Sequence, residues 1–127
     1  MHRIFGLLLV IILPYGCFSP DSRPGNTKSD ASAQKPFDPH GRLIFTKHAR
    51  CRMDCRHITA NEIHEILDAG TINYEKSDPQ GRPDPKWAVE GYTAEQQHLR
   101  IIVAPERGEL IIVTCIELGV EWTCNCN

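Results

Sequence analysis

The chain has 127 residues, and its 14 Lys and Arg residues stand against 16 Asp and Glu residues. This length suits one domain rather than two, and a charged fraction of 24% with nine aromatic residues excludes a wholly disordered chain. A formal net charge of −2 lacks the basic excess that is typical of nucleic-acid-binding proteins. The six cysteines are unusual, and their meaning depends on the compartment.

The N-terminus has the pattern of a secretory signal peptide. Arg3 gives a short positive start, and residues 4–13 form an apolar run. This run is too short for a transmembrane helix, which needs about 20 apolar residues. We predict that residues 1–16 are a signal peptide that directs export.

Cys17 follows a glycine at the end of this segment, which resembles the cleavage site of bacterial lipoproteins. In such proteins the cysteine is diacylated and becomes the first residue of the mature chain. The resemblance implies that acyl chains such as palmitate, attached to Cys17, hold the protein to membrane lipid in the cell envelope, facing the periplasm or the exterior. Ordinary signal cleavage and an uncleaved anchor are the alternatives.

Residues 17–41 are rich in Ser, Pro, Asp, Gly and Asn, and they contain few large apolar side chains. Such a segment cannot bury enough surface to offset the entropy lost on ordering. We therefore predict a flexible tether over residues 17–41, followed by one folded domain over residues 42–127.

Two helices are predicted at the start of this domain. Thr46 is a possible N-cap for a helix over residues 47–56, which contains no Gly or Pro. A second helix begins at Thr59, because Thr59 and Glu62 have the spacing of a capping box, and Gly70 is placed to end it.

Apolar segments separated by short turns predict a sheet after the helices. A short extended segment starts at Thr71, and three strands follow over residues 87–92, 98–104 and 109–116. Because the links between the three strands are short, antiparallel hairpins are expected. The prediction is an α+β domain with two N-terminal helices packed on a three- to four-stranded antiparallel sheet.

The segment HARCRMDCRHIT over residues 48–59 resembles the opening motif of the domain of unknown function 4258 family. The matching residues are His48, Ala49, Arg52, Met53, Arg56, Ile58 and Thr59. The family is similar in fold to the small RelE and BrnT toxins, which include ribonucleases, so the resemblance implies a toxin-like fold. Those toxins act on RNA in the cytoplasm, and the export signal argues against a nucleic-acid partner for this chain.

Four cysteines form two pairs with short spacing. Cys51 and Cys55 share one face of the predicted helix, and Cys124 and Cys126 point the same way if the tail is extended. The pairs can form two disulfides or a zinc site with four thiolates. An oxidising compartment favours disulfides from helix to tail, with the individual pairing left open. Cys115 lies in an apolar strand and is predicted to be a buried, inert thiol.

A basic cluster lies in and around the first helix. His48 with Arg52 or Arg56 is the candidate catalytic set, because imidazole and guanidinium groups can serve acid–base and charge-stabilising roles in RNA cleavage. The alternative is a solvated helix face whose arginines form ion pairs with acidic residues. The candidate acidic partners are Glu62, Glu65 and Glu90. Two further histidines are predicted to be isolated surface residues, namely His64 and His98.

Together these features predict a membrane-tethered extracytoplasmic lipoprotein. Its domain is expected to be a non-catalytic binding or interaction module without a cofactor, and its ligand a protein or a small anion. The alternatives are a ribonuclease-like or anion-processing enzyme that uses the basic first helix, and a thiol or zinc module that uses the four paired cysteines.

Overall fold

The computed structural model describes residues 34–127. The predicted signal peptide, the predicted lipidation site at Cys17 and most of the predicted tether lie outside the described residues. No helix within residues 34–127 has the length and apolar character needed to cross a membrane.

The described part of the chain contains two α-helices and five β-strands. In chain order these are β1 (Arg42–Phe45), α1 (Lys47–Arg56), α2 (Ala60–Ala69), β2 (Thr71–Ile72), β3 (Trp87–Tyr92), β4 (His98–Glu106) and β5 (Glu109–Glu117). A single 3-10 turn, Tyr74–Lys76, lies between β2 and β3. The α+β class and both predicted helices are confirmed.

The helices begin at the predicted capping residues. The Thr46 hydroxyl accepts a hydrogen bond from the Ala49 N–H at 3.0 Å, which caps α1. The capping box of α2 is complete, because the Thr59 hydroxyl accepts from the Glu62 N–H while the Glu62 carboxylate accepts from the Thr59 N–H. These bonds satisfy N–H groups that have no partner inside the helix.

The sheet differs from the prediction in strand number and direction. It has five strands in the order β1-β5-β4-β3-β2, and β1 runs parallel to β5 while the other pairs are antiparallel. The expectation of three or four antiparallel strands was therefore wrong. Hairpin signals are local, whereas β1 has only four residues and joins a partner at the far end of the domain.

The hydrophobic core lies between the two helices and one face of the sheet. Its helical members are Ala49, Ile58, Ile63, Ile66 and Leu67, and its strand members are Val89, Leu99, Ile101, Val103, Leu110, Ile112 and Cys115. A bulge beside Ile102 and Val103 leaves one extra residue in β5. This bulge changes the alternation along β5 from Leu110 and Ile112 to Cys115.

Gly70 ends α2 against β3. Its φ of −72° is open to any residue, but a Cβ atom would lie 2.5 Å from the Ile66 carbonyl oxygen and 2.7 Å from that of Glu90. Gly70 is thus required by the close approach of helix and strand.

The outer edge of β5 is covered unequally. β1 pairs with β5 only as far as Ile112, and α1 then runs beside the rest of that edge. The Thr46 hydroxyl donates to the Val113 carbonyl at 3.0 Å, and the Arg56 guanidinium donates to the Cys115 carbonyl. Side chains from and next to α1 therefore take two edge carbonyls that a strand would otherwise bind.

The last residues of the predicted tether contact the domain. Phe37 packs against the core, and the Lys35 ammonium donates to the Asp68 carbonyl at 2.6 Å. Ordered contacts therefore begin before Arg42, the predicted start of the domain.

Candidate functional site on helix α1

The three candidate catalytic residues form one row along α1. His48, Arg52 and Arg56 lie four residues apart, which places them on the same side of the helix. The Arg52 Nε–H donates to His48 Nε2 at 3.3 Å. His48 is exposed, whereas both arginines are half-buried. The structure therefore brings the three side chains together, with the imidazole at the exposed end.

Arg56 has the most restricted environment in this row. Burial lowers the pKa of Arg56 below its ordinary value, the positive charge of Arg52 lowers it further, and Glu117 opposes both effects. Its Nε is buried and has no hydrogen-bond partner within residues 34–127. The row therefore holds two neighbouring guanidinium groups that repel each other.

The expected ion pairs of these arginines with Glu62, Glu65 and Glu90 are absent among the described residues. Glu62 completes the capping box, Glu65 accepts from the Ala94 N–H at 3.0 Å, and Glu90 binds Arg100. The expected pairing with these three glutamates was therefore wrong. Within residues 34–127, no carboxylate lies within ion-pair distance of Arg52 or Arg56.

Two disulfides lie beside this row. Cys51 pairs with Cys126 and Cys55 pairs with Cys124, with Cα–Cα distances of 5.7 and 6.0 Å. Both bridges run from helix to tail, which confirms the predicted disulfides and sets the pairing. Because the residue nearer the start of α1 binds the later tail residue, the tail runs antiparallel to the helix.

We call residues 118–127 the C-terminal tail. Gly119, at a φ of 79°, lies in the turn that follows β5, and this left-handed conformation favours glycine. The Trp122 indole N–H then donates to the Glu117 carboxylate at 2.8 Å, and the Trp122 ring meets the His57 ring edge-on at 5.7 Å.

Cys115 is the free cysteine of the described chain, and it is fully buried. Burial raises the pKa of its thiol to about 11. The prediction of a buried thiol is thus confirmed, since such a thiol is protonated near neutral pH and is a poor nucleophile.

Comparison with known proteins places the chain in a family. Residues 45–117, more than half of the chain, match the family described as Domain of unknown function (DUF4258). The chain belongs to the DUF4258 family. No curated protein matches the chain, and no solved structure matches it either.

The DUF4258 match divides the site into two parts. The row of His48, Arg52 and Arg56 lies inside the matched residues, as do Cys51 and Cys55. The C-terminal tail lies beyond their end. Each disulfide therefore joins the DUF4258 domain to a segment outside the family match.

A second polar cluster in the DUF4258 domain was missed by sequence reasoning. The Glu90 carboxylate accepts hydrogen bonds from Arg100 and Asn73. Burial alone would raise the pKa of Glu90, but these bonds outweigh it, and the pKa lies below its ordinary value. His98, predicted to be isolated, stacks on Tyr92 at 4.2 Å. The pairing of β3 with β4 places Glu90 opposite Arg100 and Tyr92 opposite His98. Charged residues of opposite sign in two consecutive predicted strands were the sequence signal for this contact.

His64 is exposed but lies in a surface cavity. It lines that cavity with Asn61, Glu65, Asp68 and His40, and His40 Nε2 lies 3.4 Å from Asp68 Oδ1. Across residues 34–127, no three His, Cys, Asp or Glu side chains are placed to hold one metal ion.

Proposed function

We propose that this DUF4258 protein is an exported, membrane-anchored lipoprotein whose domain is a non-catalytic binding module. The observation that carries the proposal is the pair of disulfides between α1 and the C-terminal tail. Such bonds form and persist in oxidising compartments such as the periplasm, which agrees with the export signal at residues 1–16. Cys17 is then the residue that attaches the protein to the membrane.

The row of His48, Arg52 and Arg56 is the proposed binding surface. Two guanidinium groups without a carboxylate partner within residues 34–127 favour an anionic ligand, because an anion between them would relieve their repulsion. The His48 ring already accepts a hydrogen bond from Arg52. This arrangement supports recognition of an anion more directly than proton transfer.

Replacing Cys17 tests the membrane anchor. We expect Cys17→Ser to move the protein from the membrane fraction to the soluble fraction and to abolish labelling by a radioactive fatty acid. Ser19→Ala, a substitution two residues away, should change neither property. Membrane-bound, acyl-labelled Cys17→Ser protein would show that lipidation at this site is wrong.

Replacing Arg52 tests the binding surface. Inorganic pyrophosphate added to the full chain should shift the amide resonances of α1, and Arg52→Gln should weaken this binding about tenfold, the change expected for one lost charge-assisted bond. Arg50→Gln is the matched control, because Arg50 is an exposed arginine of the same helix outside the row. An equal loss of pyrophosphate affinity in both variants would show that binding depends on the total charge of α1 and not on the proposed surface.

A second candidate is a ribonuclease-like or anion-processing enzyme. The contact between His48 and Arg52 favours it, since imidazole and guanidinium together suit phosphodiester cleavage. The likeness of the family to the RelE and BrnT toxins points the same way. RNA cleavage by the purified protein that disappears in His48→Ala would replace the binding proposal with this one.

The remaining alternative is a zinc module with Cys51, Cys55, Cys124 and Cys126 as ligands. It requires all four cysteines as thiolates, so the protein isolated under reductant would contain one zinc ion per chain. Intact mass with and without reductant distinguishes the two chemistries, because two disulfides gain four hydrogen atoms (four protons and four electrons) on reduction.

A further inference from the structure

The C-terminal tail is attached to the domain mainly by covalent bonds. Its last backbone hydrogen bond runs from the Leu118 N–H to the His98 carbonyl at 2.7 Å. Within residues 34–127, the backbone of residues 119–127 forms no hydrogen bond to other backbone groups. Trp122 adds noncovalent contacts with Glu117 and His57.

No residue of this tail belongs to the hydrophobic core. The buried apolar residues of β5 end at Cys115, and Val120 in the tail is 48% exposed. The helices pack on the sheet through Ala49, Ile63 and their neighbours, with no tail residue between them. Breaking the two disulfides would therefore remove the attachment of the tail while leaving the core contacts in place.

The chemistry around the bridges favours thiol–disulfide exchange. All four bridged cysteines are half-buried rather than sealed in the core. Positive charge stabilises a thiolate and lowers its pKa, and a thiol of lower pKa is a better leaving group. Helix α1 carries one acidic residue, Asp54, and four basic residues that are permanently charged near neutral pH. These are Lys47, Arg50, Arg52 and Arg56.

We propose that the two disulfides form a redox latch, which a dithiol reductant of the thiol–disulfide oxidoreductase class opens to free the C-terminal tail from α1. This proposal does not depend on the lipid anchor or on the anion site. The tail lies outside the DUF4258 match, so the latch is a property added to the family domain in this chain.

The bridge between Cys51 and Cys126 opens in two exchange steps. A thiolate of the dithiol attacks Cys126 Sγ, the bond between Cys126 and Cys51 breaks, and Cys51 leaves as a thiolate beside the cations of α1. The second thiol of the reductant then attacks the mixed disulfide and expels Cys126. Each bridge gains two electrons and two protons, and the reductant becomes a disulfide. The bridge of Cys55 with Cys124 reacts in the same way.

The full chain treated with excess dithiothreitol under native conditions tests the latch. We expect two bridges to be reduced, the backbone order parameters of residues 120–127 to fall below about 0.6, and carboxypeptidase to remove these residues. The amides of β4 and β5 should remain protected from hydrogen exchange. Loss of that protection together with the tail, or a tail that stays ordered after reduction, would overturn the proposal.

Serine variants provide an independent measurement. The variant with all four bridged cysteines replaced should show a mobile tail and a protected core without any reductant. The pair Cys51→Ser and Cys126→Ser retains one bridge and should keep the tail in place. A four-serine variant that keeps an ordered tail would contradict the latch, and one that unfolds would identify the bridges as structural staples.

The charge of α1 has its own test in reduction rates. Arg52→Gln should slow reduction by dithiothreitol several-fold, whereas Lys76→Gln, which removes an exposed charge in the 3-10 turn outside α1, should have a smaller effect. Equal rates in Arg52→Gln and the parent chain would show that the cations of α1 do not assist the leaving thiolate.

Discussion

Cys115 shows how burial controls a single ionisable group in this domain. The thiol is fully enclosed by the core, where a thiolate would lose its hydration, and the pKa of Cys115 is therefore raised to about 11. Arg52 and Arg56 oppose this rise, but burial is the larger effect. The core thus keeps the Cys115 thiol away from solvent, although Cys115 lies only three residues before the C-terminal tail that carries two disulfides.

This pKa predicts a specific loss of stability at high pH. The unfolded thiol ionises near pH 9, whereas the folded thiol stays protonated to about pH 11, so the unfolded state is favoured increasingly between these values. The free energy of unfolding should fall by about 2–3 kcal/mol over this window. Urea unfolding at each pH measures it, and Cys115→Ala should lack this part of the slope. If the unfolding free energy of Cys115→Ala fell with pH as steeply as that of the parent chain, the loss could not be assigned to Cys115.

His57 ends α1 in a left-handed conformation with a φ of 56°. A residue with a side chain pays about 1–2 kcal/mol for this conformation, and glycine does not. We expect His57→Gly to be about 1 kcal/mol more stable than His57→Ala in urea unfolding, because both variants lose the contact with Trp122 and only one relieves the backbone. Equal stability of the two variants would show that this backbone conformation relaxes.

At the scale of elements, local patterns predicted the helices well and the sheet only in part. The capping box at Thr59 and the stripe of Ile63, Ile66 and Leu67 specify α2 through contacts within a few residues. The partner of β1 lies beyond both helices and three strands, and no pattern within residues 42–45 identifies it. Long-range pairing was therefore the part of the fold that the sequence left undetermined.

The contact of α2 with β3 predicts a strict requirement at Gly70. A Cβ atom there would overlap two carbonyl oxygens, so Gly70→Ala should cost about 1–3 kcal/mol of unfolding free energy. Gly119→Ala is a useful comparison, because its φ is 79° but nothing lies within 4 Å of the added atom. That variant should lose only about 1 kcal/mol. A larger loss at Gly119 than at Gly70 would contradict the packing argument.

At the scale of the whole molecule, the two disulfides form nested loops. Their sequence separations are 75 and 69 residues, so the first bridge to form closes a long loop and stabilises the folded state by about 4 kcal/mol. The second bridge then closes only the short ring of residues 51–55 and 124–126, which contributes about 2 kcal/mol. The proposed latch requires a core that withstands the loss of both.

This nesting predicts unequal costs of bridge removal. Replacing either cysteine pair with serine should cost about 2 kcal/mol, and replacing the second pair as well should cost about 4 kcal/mol more. Thermal unfolding of the two single-pair variants and the four-serine variant measures both steps. Equal steps would mean that the bridges act independently, through local contacts rather than through chain entropy.

The residues of the candidate site could be predicted from the sequence, but most of their contacts could not. The chemistry of imidazole and guanidinium groups identified His48, Arg52 and Arg56 as a set in the first helix, and spacing placed Cys51 and Cys55 on one face of that helix. The absence of carboxylate partners within residues 34–127 could not be read in advance, because the glutamates are occupied by contacts that only the tertiary structure creates.

Because β1 is short, Arg56 has a second role at the edge of the sheet. An unpaired strand edge is a template on which another chain can add, and proteins protect such edges against aggregation. Arg56 occupies the Cys115 carbonyl on the half of β5 that β1 does not reach, and its charge repels an identical molecule that approaches the same edge. We therefore expect Arg56, besides forming part of the basic row, to oppose self-association of the protein along this edge.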